Sequence, residues 1–124
     1  MIVTVPMVKR VLFVDDEPML LSAMRASLRR ERHRFDITCV HDGIEALAAW
    51  DRAAFDVVVT DMRMPGLDGA QLLRALTERG ARPFRVLLSG YADESRLRAA
   101  LPYCDCVLTK PCPRDELLAA IDRA

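Results

Sequence analysis

Two kinds of apolar segment alternate along the chain. Short, β-branched runs fall at Val11-Leu12-Phe13-Val14, Ile37-Thr38-Cys39-Val40, Val57-Val58-Val59-Thr60, Val86-Leu87-Leu88 and Cys106-Val107-Leu108. They are nearly unbroken rather than alternating with polar residues, the pattern of strands covered on both faces. Between them apolar residues recur at helical spacing: Leu21, Met24 and Leu28; Ile44, Leu47 and Ala48; Leu72, Leu73 and Leu76; Leu97 and Leu101; Leu117, Leu118 and Ile121. Helix-start signals agree with these segments. Pro18 and Pro113 suit a first helical turn, and Asp42, Asp68 and Asp93 suit N-caps.

The pattern therefore reads β-α five times. Strict alternation implies right-handed crossovers and a parallel sheet between two helical layers. Five strands are too few for a closed eight-stranded barrel. The expected fold is an open, doubly wound α/β sandwich with a five-stranded parallel sheet in the order 2-1-3-4-5. Such sheets place ligands beyond the carboxyl ends of their strands.

At 124 residues, 52% of them hydrophobic, the chain suits one globular domain. That domain is expected to span residues 1–124, with its core from about residue 9 and no linker, repeat or output domain. Eighteen basic and eighteen acidic residues cancel, which argues against direct nucleic-acid binding. No apolar run approaches membrane-spanning length, and Met1–Met7 lacks the charged start and long apolar centre of a signal peptide. The expected compartment is the cytoplasm.

The acidic residues change the picture. Asp15 and Asp16 follow the first strand directly, and Asp61 follows the third directly. In the order 2-1-3-4-5 these strands are neighbours, so three carboxylates converge at one edge of the sheet. Like charges packed together are unfavourable without counter-charge. A hard, oxygen-seeking ion such as Mg2+ could provide it, as could Lys110, which follows the fifth strand. Ser89, ending the fourth strand, adds a hydroxyl to the same mouth.

The motifs Val-Asp-Asp-Glu-Pro (14–18), Asp-Met-Arg-Met-Pro-Gly-Leu-Asp-Gly (61–69), Leu-Ser-Gly-Tyr (88–91) and Thr-Lys-Pro (109–111) resemble those of response regulator receiver domains in two-component signalling, from about Lys9 to the C-terminus. The resemblance implies a flavodoxin-like fold and a phosphoacceptor, Asp61, modified by the phosphohistidine of a histidine kinase or phosphotransfer protein. It implies Mg2+ held by Asp16 and Asp61, with Asp15 assisting and the Arg63 backbone carbonyl completing the protein ligands. Lys110 would hold one phosphoryl oxygen and Ser89 another. Pro65-Gly66 suits a type II turn beside the acceptor. By the same resemblance the chain is a switch rather than a metabolic enzyme, its chemistry limited to its own phosphotransfer and slow dephosphorylation. A homodimer formed through the fourth helix upon phosphorylation is a further expectation.

One departure stands out. Receivers often carry Tyr or Phe three residues before the lysine, and this chain has Val107, which excludes a rotating aromatic reporter there. Tyr91 and Tyr103 are candidates to substitute, although each reads more simply as a surface-edge tyrosine. Arg63 and Tyr91 occupy loop positions that, in the family, influence how fast the phosphoryl group is lost. The Ser-Gly-Tyr-Ala-Asp and Lys-Pro-Cys segments resemble receivers fused to HD-type cyclic-di-GMP phosphodiesterases. A pseudo-receiver and a phosphatase on a similar sheet are the competing classes. The complete acceptor set argues against the first, and the lack of an additional acid–base residue near Asp61 against the second.

The remaining reactive residues have structural readings. Cys39, Cys104, Cys106 and Cys112 suit reduced core thiols. Alternation places Cys104 and Cys106 on one side of the fifth strand, and their spacing with Cys112 lacks a fourth zinc ligand. His33 suits a solvated position, His41 a strand end, and Trp50 helix packing.

Overall fold

The computed structural model describes residues 8–124, apart from the Tyr91 side chain. The segment Met1–Met7 and the candidate role of the Tyr91 ring lie outside the described residues. Five strands, β1 (Lys9–Val14), β2 (Phe35–Val40), β3 (Val57–Asp61), β4 (Phe84–Ser89) and β5 (Cys106–Thr109), alternate with five helices. The helices are α1 (Pro18–Leu28), α2 (Gly43–Arg52), α3 (Gly69–Glu78), α4 (Glu94–Ala100) and α5 (Arg114–Asp122). The strands pair in parallel in the order β2-β1-β3-β4-β5, as the alternation predicts.

Alternate side chains of each central strand face opposite layers. Leu12, Val14, Val58 and Leu87 pack with Leu72, Leu73 and Leu76 of α3 and with Ala46 and Ala49 of α2. Val11, Phe13, Val57, Val59, Val86 and Leu88 pack with Leu21 and Leu28 of α1 and with Leu117 and Ile121 of α5. Burial on both faces is why these strands carry continuous apolar runs. No helix among the described residues is long and apolar enough to cross a membrane.

Helix α2 departs from the expected face. Of the expected stripe only Leu47 packs on the core, half-buried; Ile44 is 66% exposed and Ala48 is exposed, whereas Ala46 and Ala49 meet the sheet. Alanine and glycine let this helix approach closely: a Cβ added at Gly43 would lie 2.7 Å from the Leu67 Cβ. The small residues form their own i, i+3 stripe, and it wins because bulk is not tolerated on that side.

At the fourth helix, Ala100 rather than Leu101 completes the buried stripe. Leu101 begins a 3-10 turn with Pro102 and is half exposed. Asp42 and Asp68 cap α2 and α3 as expected, Asp68 in a reciprocal capping box with Gln71. Pro18 opens α1, while Pro113 sits one residue earlier than expected, at the N-cap of α5.

The cysteines are free thiols, but Cys104 and Cys106 pack against opposite layers. Strand alternation does not relate them, because β5 starts only at Cys106. Trp50 packs its ring 6.1 Å from that of Phe55. His33 is exposed, and His41 follows the last residue of β2.

Candidate functional site

Strand register brings the polar residues together. Val14 of β1 pairs with Thr60 of β3, so the residues that follow, Asp15 and Asp61, are neighbours across the two central strands. Ser89 of β4 pairs with Thr109 of β5, and the next residue is Lys110. Four strand ends thus deliver Asp15 and Asp16, Asp61, Ser89 and Lys110 to one edge. They flank an open cleft of about 450 Å³, lined in part by Asp16, Asp61, Arg63 and Lys110.

One carboxylate oxygen from each of Asp15, Asp16 and Asp61 lies within 4.8 Å of the others. Asp15 and Asp61 are buried, Asp61 to 6% exposure, whereas Asp16 opens to solvent. The Lys110 Nζ lies 3.1 Å from Asp61 Oδ1 and 3.6 Å from Asp15 Oδ2. Asp15 Oδ1 also accepts the Glu17 N–H at 3.0 Å, which orients that carboxylate. Among the described residues, three carboxylates gather beside a single ammonium. The set is all oxygen, partly open and short of positive charge, which fits a hard divalent cation such as Mg2+.

Burial pushes the Asp61 pKa up, Lys110 opposes the shift, and the charges of Asp15 and Asp16 add to it; the net direction is upward. For Lys110, burial disfavours the charge. The Asp61 hydrogen bond and the charges of Asp61, Asp15 and Glu17 outweigh it and hold the ammonium above its ordinary pKa. A carboxyl whose folded pKa exceeds its unfolded value stabilises the fold only while protonated, and that stability is lost as pH rises through the folded pKa. Ionised Asp61 is therefore a cost at neutral pH. In chelator, Asp61→Asn is expected to melt above wild type at pH 7, with the gap closing as pH falls through the carboxylate range. A gap of opposite sign, or one that ignores pH, would count against this.

Three contributors were not legible from motif spacing. The buried Thr60 hydroxyl donates to the Asp61 carbonyl at 3.0 Å. Gly69 packs directly on the acceptor strand, its N–H donating to the Met62 carbonyl at 2.8 Å. The Arg63 side chain crosses the cleft to the turn after β4, where its Nε donates to Asp93 Oδ1 and its Nη2 to the Ala92 carbonyl at 2.9 Å.

Asp93 consequently does not cap α4 with its side chain. Its second oxygen accepts the Gly90 N–H at 2.8 Å. Burial opposes its charge, but Arg63, the Gly90 N–H and nearby Arg96 together lower its pKa. Opposite charges in the loops after two adjacent strands were the available signal for this pair.

Gly66 has φ 76°, the left-handed value that the third position of a type II turn demands. Val107 and Tyr103 are half-buried against the α2–α3 layer, so Tyr103 packs at the edge of that layer. Among the described residues the Ser89 hydroxyl makes one long contact, 3.4 Å to the Gly90 carbonyl.

Comparison with known proteins agrees with this geometry. Residues 11–122 match the model of the response regulator receiver domain. The chain is 34% identical over 113 residues to the transcriptional regulatory protein TrcR of Mycobacterium tuberculosis, covering 90% of this chain and 43% of TrcR. It is 36% identical over 113 residues to the transcriptional activator protein PfeR of Pseudomonas aeruginosa, covering 91% and 36%. The chain thus spans less than half the length of these curated relatives. Among solved structures, the receiver domain of the sensor histidine kinase PA1611 of Pseudomonas aeruginosa, with a magnesium ion in its active site cleft, superposes with a TM-score of 0.76 at 28% identity, covering 94% of this chain and 97% of that one. With its strand order, its acidic pocket and a family match across nearly its whole length, the chain belongs to the response regulator receiver domains of two-component systems.

Proposed function

We propose that Asp61 accepts a phosphoryl group from the phosphohistidine of a histidine kinase or phosphotransfer protein. The observation that carries this reading is the Lys110 ammonium 3.1 Å from an Asp61 carboxylate that is buried beside two further aspartates. In the transfer, an Asp61 carboxylate oxygen attacks phosphorus. The new O–P bond forms as the P–N bond breaks, and its electron pair returns to the imidazole of the donor.

Asp16 and Asp61, with Asp15 assisting and the Arg63 carbonyl, would hold Mg2+. When bound, that ion neutralises charge on the phosphoryl oxygens. Lys110 exchanges its contact with the Asp61 carboxylate for one with a phosphoryl oxygen. Ser89, weakly held by its own loop, turns its hydroxyl to another. The chemistry is confined to this self-modification and its slow reversal, so the domain acts as a cytoplasmic switch rather than as a metabolic enzyme. Assembly into a homodimer through α4 would be one readout of the modified state.

Incubation with acetyl phosphate or phosphoramidate and Mg2+ should add the mass of one phosphoryl group to the wild-type chain and nothing to Asp61→Asn. No gain, or a gain that survives the substitution, would remove Asp61 as the acceptor.

A further inference from the structure

The substitution of Val107 for an aromatic reporter leaves open how a change at Asp61 reaches helix α4. Arg63 and Asp93 offer a direct route. Arg63 stands two residues beyond the acceptor and lines the same cleft as Asp61 and Lys110. Its guanidinium leaves that loop and fastens to the Gly90–Asp93 turn through Asp93 Oδ1 and the Ala92 carbonyl. Asp93 is almost wholly buried, and its other oxygen holds the Gly90 N–H, the residue after Ser89. One ion pair therefore ties the acceptor loop to the entry of α4.

The helix itself is short. It has seven residues and rests on α3 through buried Ala100 and half-buried Leu97, while the rest of its side chains face solvent. Its first turn receives no side-chain cap, because the Asp93 carboxylate is committed elsewhere. We propose that Arg63 and Asp93 form a latch across the mouth of the cleft, and that a phosphoryl group on Asp61 frees α4 by drawing the Arg63 guanidinium away from Asp93.

The inference rests on Asp61 being the acceptor. A phosphoryl group brings close to two negative charges and three acceptor oxygens, and guanidinium binds such oxygens well. Arg63 is more than half exposed and so has room to swing. The buried Asp93 carboxylate would then keep the Gly90 N–H and the charge of nearby Arg96, without a hydrogen-bonded cation. A buried charge that loses its ionic partner is strongly destabilising, so the turn and the start of α4 would rearrange.

Hydrogen exchange of the amides of residues 90–100, measured on the whole chain, tests this in two arms. Without any phosphoryl mimic, Arg63→Ala should exchange about ten-fold faster than wild type across this segment, the scale of one lost charged hydrogen bond. Asp93→Asn, which retains an acceptor for Gly90 but not the charge, should move in the same direction. With Mg2+ and beryllofluoride, wild type should approach the rate of Arg63→Ala, and Arg63→Ala should change little further. Equal protection in wild type and both variants would overturn the latch, as would equal increments on adding beryllofluoride. The mass of the acetyl phosphate adduct, taken on the same protein, separates the two failures. An adduct at Asp61 with an unmoved segment sinks the latch alone, whereas the absence of an adduct sinks the acceptor reading beneath it.

Discussion

Replacing Lys110 with alanine should slow phosphoryl uptake from acetyl phosphate by about 100-fold, the usual cost of deleting one donor aimed at developing charge. It should also destabilise the unmodified protein. Among the described residues Lys110 is the ammonium beside Asp15 and Asp61, at 3.6 and 3.1 Å, and both carboxylates are buried. Without it they face each other uncompensated. Removing one partner of a fully buried pair costs about 3–5 kcal/mol, and because Lys110 is itself partly solvated a loss of about 2 kcal/mol in chelator at pH 7 is expected.

The pH dependence identifies the cause. The raised Lys110 pKa means that its stabilisation is complete below the ordinary lysine value and is lost only as pH rises through the folded one. At neutral pH the full penalty of Lys110→Ala should therefore appear. It should shrink in acid as Asp61, held upward chiefly by burial, takes up its proton. Adding Asp61→Asn to Lys110→Ala should recover most of the loss, since the amide needs no counter-charge. Urea titrations of the four proteins at pH 4 and pH 7 measure both effects. A penalty that is equal at the two pH values would mean that Lys110 acts through its aliphatic stem rather than its charge.

How far such a site can be read without coordinates depends on what positions each group. Asp15, Asp16, Asp61, Ser89 and Lys110 sit at strand ends, and in a parallel sheet every strand end after a β-α unit falls on one edge. The apolar runs thus located the charges as soon as they located the strands. The phase of α2 was not legible, because Ile44, Leu47 and Ala48 make as regular a stripe as Ala46 and Ala49. Only the close approach of Gly43 to Leu67 decides between them.

Asp93 illustrates a different limit. Its place before a helix suggests a cap, and its backbone position agrees, but its carboxylate answers to Arg63 and Gly90. Local spacing reports what a side chain could do for its own helix, whereas a cation thirty residues away along the chain decides what it does. Cys104 and Cys106 fail similarly, since alternation holds only inside a strand and β5 begins at Cys106, leaving Cys104 outside it.

Gly69 is the residue whose replacement should damage the site most through sterics alone. Helix propensity favours alanine over glycine by about 1 kcal/mol in a helix interior, so Gly69→Ala at the first residue of α3 would ordinarily be neutral or stabilising. Here a Cβ would stand 2.5 Å from the Asp61 carbonyl oxygen and 2.9 Å from the Met62 Cα. These are backbone atoms of the last residue of the acceptor strand and of the residue after it, and they cannot turn aside as a flexible side chain would. Either α3 lifts from the sheet, breaking the 2.8 Å hydrogen bond from Gly69 N–H to the Met62 carbonyl, or the Asp61–Met62 segment shifts. Overpacking of this kind costs about 1–3 kcal/mol, and the upper end is expected because Leu72, Leu73 and Leu76 of the same helix are wholly buried and resist displacement. If the strand yields, Asp61 moves relative to Lys110, and a shift of about 1 Å can cost about 100-fold in rate. Gly69→Ala should therefore lower both the urea midpoint and the initial rate of phosphoryl incorporation, with Gly69→Val worse in each. An alanine variant as stable as wild type would show that α3 can be drawn back at no cost, and that helix propensity rather than contact with the acceptor strand governs this position.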